Sequence, residues 1–306
     1  MAQSHSTALS LSSFWSREHR VERIGYIVGA SLLISGLVHL SILVIGGGSW
    51  EGPLSLRKPM TFGLSFGLTL VTIVWVSSFL RLGTRPRTLL LGVFTAACAL
   101  ETTLVTGQAW RGVPSHFNLQ TTFDGIVART LAAGGMVLVA VIGALTFASF
   151  RANATVPTSL RLAIRIGFLS LVGAVLVGAL MIAKGMQLVF AGDPQAAYAT
   201  GGALKPIHAV TMHAILVLPG LAWLLSFVNW TERGRTYAVL LAAFGYLAVA
   251  GTIAFVTVVD PASPQTSLAI VAVFVLGVLL LLGTGITTFV AIRKATPDSA
   301  PPIEEH

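Results

Sequence analysis

Arg23-Ile24-Gly25-Tyr26 opens a long apolar run, and Arg165-Ile166-Gly167-Phe168 opens another like it. Reading outward, Lys58-Pro59 returns as Lys205-Pro206, and Arg85-Pro86-Arg87-Thr88 returns as Arg233-Gly234-Arg235-Thr236. Gly143-x-x-Thr146-Phe147-x-x-x-Arg151 then returns as Gly285-x-x-Thr288-Phe289-x-x-x-Arg293. The four matches keep their order, and the stretch from Arg23 to Arg151 equals that from Arg165 to Arg293 in length. A self-similar pattern of this kind predicts a duplicated unit.

The chain has 306 residues, of which 55% are hydrophobic and only 10% charged. Soluble domains carry about a quarter charged residues, so a water-exposed surface over most of this chain is excluded. Eight apolar stretches are long enough to cross a hydrocarbon core of about 30 Å. They lie near 24–46, 60–80, 88–110, 125–150, 161–183, 207–229, 236–259 and 267–292. The expected fold is all-α: a polytopic membrane protein of eight transmembrane helices, built as two tandem parallel four-helix repeats. Residues 23–151 form the first repeat and 165–293 the second, with 1–22 and 294–306 as disordered ends. Four spans per repeat keep both copies in one orientation, which places a pseudo-twofold axis along the membrane normal.

Thirteen of the nineteen Lys and Arg residues fall on the side that holds both termini, against six on the other. This bias predicts cytoplasmic termini in a bacterial-type inner membrane. The first apolar run is too long for a signal-peptide core and lacks a convincing cleavage site, so it is expected to be retained. The net charge of +8 is spread over helix ends rather than gathered in a stripe, which argues for no nucleic acid and for the lipid bilayer as the main partner. Cys98 stands alone in the third span, so no intrachain disulfide can form.

The two copies differ most on the outward side. The first inserts Gln108-Ala109-Trp110-Arg111-Gly112-Val113-Pro114-Ser115-His116-Phe117-Asn118 where the second has only Val259-Asp260-Pro261-Ala262-Ser263-Pro264. An elongated loop rich in hydrogen-bonding side chains favours ligand recognition over simple connection. Ionisable groups inside a bilayer cost at least a few kcal/mol unless paired or hydrated, and they mark functional positions. His39 and His213 lie roughly 10 Å inside the outward ends of their spans, Arg129 somewhat shallower, and Glu101 roughly 13 Å deep. His208, Lys205 and Lys184 lie near the outward boundary. Glu101 and Gln108 share one helix face. His208 and His213, about 140° apart around their axis, do not readily hold one ion together.

Three functions follow from this inventory. A haem b site would use His39 and His213 as axial ligands, with Arg111 and Arg129, joined by Arg57, facing the propionates and a quinone as partner. The coarse layout resembles the haem A synthase family: eight spans, two four-helix halves and outward histidines. That family carries its ligands on the even spans, whereas span two here begins Lys58-Pro59-Met60-Thr61-Phe62-Gly63, without histidine, so no catalytic role is carried over. A proton-coupled transporter or permease for a small-molecule ligand would use Glu101, Gln108, His116, Asn118 and His208 as ligand-binding or proton-carrying groups. An intramembrane metal-dependent hydrolase would draw on His39, His116, His213, Glu101 and Asp124, but lacks the local histidine spacing of zinc sites.

Overall fold

A computed structural model describes residues 20–199, 202, 204–259 and 267–295. Most of the N-terminal segment and tail expected to be disordered, and the Asp260–Pro264 turn, lie outside these residues. The described chain forms nine helices: α1 (Arg20–Ile45), α2 (Arg57–Ser77), α3 (Thr84–Trp110), α4 (Thr122–Ser149), α5 (Thr158–Phe190), α6 (Pro194–Ala199), α7 (Lys205–Leu225), α8 (Glu232–Val259) and α9 (Leu268–Ala295). Eight of them, all but α6, are long and apolar enough to cross a membrane, as expected of a polytopic membrane protein. The 33 residues of α5 span about 50 Å, so this helix projects beyond the hydrocarbon or tilts within it.

Helix boundaries follow local chemistry. Thr121 Oγ1 accepts from the Asp124 N–H at 3.1 Å and donates to Asp124 Oδ2 at 2.7 Å, an N-cap that starts α4. Ser267 caps α9 in the same manner, through the Ile270 N–H. The long helices α3 and α5 end alike: Gly112 (φ +70°) and Gly192 (φ +85°) take the left-handed turn that a side chain resists. The next residues, Val113 and Asp193, then donate back to the Gln108 and Leu188 carbonyls.

Two compact units result: residues up to Ser78 with Leu82–Val141, and Phe79–Arg81 with the chain from Ile142 onward. In the first, α1 and α2 pack so closely that a Cβ on Gly63 would stand 2.6 Å from the Gly36 nitrogen, and one on Gly67 2.7 Å from the Gly29 oxygen. Lipid gives helices no hydrophobic reason to associate, so backbone approach of this kind supplies the contact energy. α3 lies against both, its face Phe94, Cys98 and Val105 fully buried. α1 begins at Arg20, three residues before the repeat was expected to start. Its first turn is drawn in by buried Glu22, which accepts from Arg87 Nη1 at 2.8 Å while the same nitrogen reaches the Ser77 carbonyl.

The second unit is organised around α5 and α7, where a Cβ on Gly167 would meet the Ile215 backbone at 2.8 Å. α8 and α9 touch through Gly245 and Gly277. Glu232, at the start of α8, accepts the Ser159 N–H at 2.7 Å and so caps α5. Arg151 lies over the Phe147 ring and Arg293 over Phe289, so the two matched Thr-Phe-x-x-x-Arg stretches make one contact.

Candidate functional site

The polar groups of the first unit gather at its distal end, the end bearing loops 46–56 and 111–121. α3 carries two polar flanks that lead to that end. Thr95, Thr102, Thr106 and Trp110 form the flank toward α1, where Thr95 lies beside Gly25. Glu101 and Gln108 form the flank toward α4.

On the α1 side, His39 is 4% exposed and both its ring nitrogens are engaged. Trp110 Nε1, which can only donate, lies 3.0 Å from Nε2, so Nε2 is the acceptor and the ring proton sits on Nδ1. Nδ1 donates to the Ser35 carbonyl at 2.7 Å. His39 thus has no lone pair left for iron. Arg57 is held by Glu51 at 2.6 and 3.0 Å, and Arg111 by Asp124. As they stand, these residues do not fit a haem with His39 as axial ligand.

Two threonines of that flank depart from the pattern of other helical threonines. Thr61, Thr72, Thr95, Thr146 and Thr252 each donate to the carbonyl four residues earlier. Thr102 and Thr106 place their hydroxyls in buried positions with no partner.

On the α4 side, Glu101 is 4% exposed and its Oε1 has no hydrogen-bond partner. It lies against Gly134, where a Cβ would overlap the carboxyl oxygen, so a residue without a side chain is what admits the carboxyl to this face. Arg129 is not its partner. That side chain is on the exposed face of α4 and curls back to give its Nε–H to the Gly125 carbonyl at 3.0 Å. Above Glu101, Gln108 Nε2 donates to Asp124 Oδ1 at 2.9 Å, and Arg111 Nη1 donates to both Asp124 Oδ1 (2.7 Å) and Gln108 Oε1. Arg111 also stacks over Phe123. The sequence reading counted Asp124 only as a metal ligand; the Thr121-x-x-Asp124 capping pattern and the Gln108–Arg111 spacing are the signals that place it here.

The 111–121 loop folds back over the start of α2. The His116 ring lies 5.8 Å from Phe62 and 6.1 Å from Phe117, and its Nδ1 is 3.1 Å from Ser115 Oγ. Burial, with the charge of Lys58 second, holds its pKa well below the ordinary imidazole value, so the ring is neutral. Phe117 has φ +63°, a left-handed conformation that costs a phenylalanine about 1–2 kcal/mol. Asn118 is fully buried; its Oδ1 accepts the Gln120 N–H, and its Nδ2 has no partner. An unsatisfied buried donor costs about 1–3 kcal/mol. Strain and an orphan donor on adjacent residues went unseen in the sequence, because both depend on backbone torsion.

His208 and His213 belong to the second unit. His208 Nδ1 lies 2.8 Å from the Ala174 carbonyl, with its ring against Gly178. His213 Nδ1 bonds the Ala209 carbonyl of its own helix at 2.7 Å. Among the described residues, no three of His, Cys, Asp and Glu converge as a metal site would need.

No known family model, curated protein or solved structure matches this chain. The functional reading therefore stands on the residues alone.

Proposed function

We propose that this integral membrane protein binds a small solute from the outward face and couples that binding to protonation of Glu101. The reading takes the distal end of the first unit as the periplasmic side of an inner membrane, with both termini cytoplasmic, and takes the two units as parallel copies of one four-helix repeat. The observation that carries it is the buried Glu101 carboxyl, whose Oε1 has no donor or cation in reach. A carboxylate without a counter-charge in hydrocarbon costs several kcal/mol, so the group is most stable with its proton on. It releases the proton only when water, a cation or a ligand reaches it. This is the behaviour a proton carrier needs.

Gln108, Asp124 and Arg111 close the flank above it. Their bonds are side chain to side chain at the head of two helices, so local rearrangement there opens the flank without breaking a backbone ladder. The haem reading loses support from the full engagement of His39, and the hydrolase reading from the scattered ligands.

Infrared difference spectroscopy of the reconstituted protein tests the carrier directly. A carboxyl C=O band of a protonated acid in an apolar setting is expected, and it disappears in Glu101→Gln. Proteoliposomes loaded with a pH dye, challenged with a panel of membrane-impermeant organic ions, test the coupling. Solute-driven acidification that persists unchanged in Glu101→Gln overturns the proposal.

A further inference from the structure

We infer that the Ser115–Asn118 loop and the first turn of α2 form a binding subsite for a small organic carboxylate with an apolar body. This rests on the reading above and deepens it by naming the class of solute; the loop and α2 make the contacts, and proton movement at Glu101 is read out separately.

Three features of the loop point to a ligand of this chemistry. Asn118 keeps its Nδ2 buried and without a partner, while its Oδ1 is pinned by the Gln120 N–H, so the amide is oriented with its donor side unmet. His116, next along the chain but one, is neutral in this setting. His116 Nδ1 and Ser115 Oγ share one hydrogen bond, and whichever of them donates, one further donor is left, the Nε2–H or the Ser115 hydroxyl. Lys58, whose charge acts on His116, stands in the first turn of α2, where the helix dipole also favours negative charge. These donors and this positive potential belong to one short loop and the helix turn it packs against, and no acidic side chain is bonded to Asn118 or His116 in this arrangement.

The second half of the inference concerns the rest of the ligand. Phe62 stacks on Phe66 at 5.3 Å and meets His116 edge-on, and Phe117 flanks the same imidazole. Phe117 holds this position in a left-handed backbone conformation. Rings on both sides of the donors suit an organic acid whose carbon body packs against them. A hydrated inorganic anion such as phosphate gains nothing from those surfaces.

The probe is benzoate, titrated calorimetrically into the purified full-length protein, with benzamide and inorganic phosphate as comparisons. One benzoate is expected to bind per chain, with benzamide and phosphate at least tenfold weaker. Asn118→Asp, which keeps the side-chain shape but turns the donor into an acceptor, is expected to weaken benzoate at least tenfold. Lys58→Gln, a partly exposed position that leaves the core untouched, is expected to weaken it several-fold; it keeps the inference testable if the loop variant unfolds. Benzoate binding unaltered in both Asn118→Asp and Lys58→Gln overturns the inference, as does benzamide binding equally well or phosphate binding in its place. Normal binding in those variants, with proton movement still lost in Glu101→Gln, removes the carboxylate subsite and leaves the carrier standing. Lost binding in Asn118→Asp, with proton movement intact in Glu101→Gln, does the reverse.

Discussion

The two units are alike in what holds helices together and unlike in what their helices bury. Both bring backbones into contact through glycine: Gly36 and Gly63 in the first, Gly167 against Ile215 and Gly245 against Gly277 in the second. Between them, however, the polar content diverges. The first unit buries His39, Glu101, Gln108, Asn118 and Asp124 near one end. Val249 and Val256 lie as far beyond Thr236 in α8 as Glu101 and Gln108 lie beyond Thr88 in α3. Helix α8 thus carries valine where the matched count along α3 meets costly polar groups. Packing of a long apolar helix does not require such groups, as α8 shows; that contrast is the reason to assign them a function.

The comparison breaks most visibly at Glu101. Glu101→Gln is expected to abolish solute-driven proton movement while leaving the fold intact, because an amide fills the same space over Gly134. The reciprocal change, Val249→Glu, puts an unpaired carboxyl into an apolar helix and is expected to destabilise the protein by about 3 kcal/mol. Thermal unfolding in detergent reads this as a lowered midpoint. A well-tolerated Val249→Glu would mean that the two interiors are equally permissive.

Asp124→Ala comes next. It leaves Gln108 Nε2 and Arg111 without their acceptor in one step. Breaking a fully buried pair costs about 3–5 kcal/mol, but the Arg111 side chain is 44% exposed, so water recovers part of that and about 1–3 kcal/mol is expected. Asp124→Asn, which keeps one acceptor oxygen, is expected to cost less. Unfolding midpoints of the two variants, compared with the parent, check the order.

Much of the fold was legible because hydrocarbon imposes few solutions: the eight apolar stretches coincide with α1 to α5 and α7 to α9 to within several residues. The ends were less legible. α5 runs to Phe190 because nothing in Lys184-Gly185-Met186-Gln187 breaks a helix, and α6 is too short and mixed to give a periodic signal. Of the site, depth was readable and partnership was not. The spacing of Glu101 and Gln108 correctly put them on one flank, yet nothing local could reveal that His39 turns to Trp110 rather than to a cofactor. That bond joins residues 71 apart in the chain. The orphan hydroxyls of Thr102 and Thr106 are likewise a property of side-chain rotation, invisible in composition.

The glycine contacts offer a smaller, graded test of the likeness between units. Gly63→Ala drives a methyl into the Gly36 backbone, which cannot yield as a flexible side chain would, and is expected to cost about 1–3 kcal/mol. Gly178→Ala meets only the His208 ring, at 3.3 Å, and is expected to cost less. Equal losses would mean that the His208 ring is as fixed as a backbone.

The smallest effect belongs to His116, and its sign follows from linkage. Burial and the Lys58 charge lower its folded-state pKa well below 6.5, the ordinary value that the unfolded chain keeps. Between those two values the unfolded chain holds more protons, so stability rises with pH through that window. The contribution is complete above about pH 6.5 and erodes as pH falls below it, by at most about 1.4 kcal/mol per pH unit. Unfolding midpoints measured from pH 7.5 down to pH 5 should therefore fall more steeply for the parent than for His116→Gln, which has nothing to protonate there. Parallel curves would mean that the His116 ring is open to solvent, and the loop would then be an open cap instead of a closed, donor-lined site.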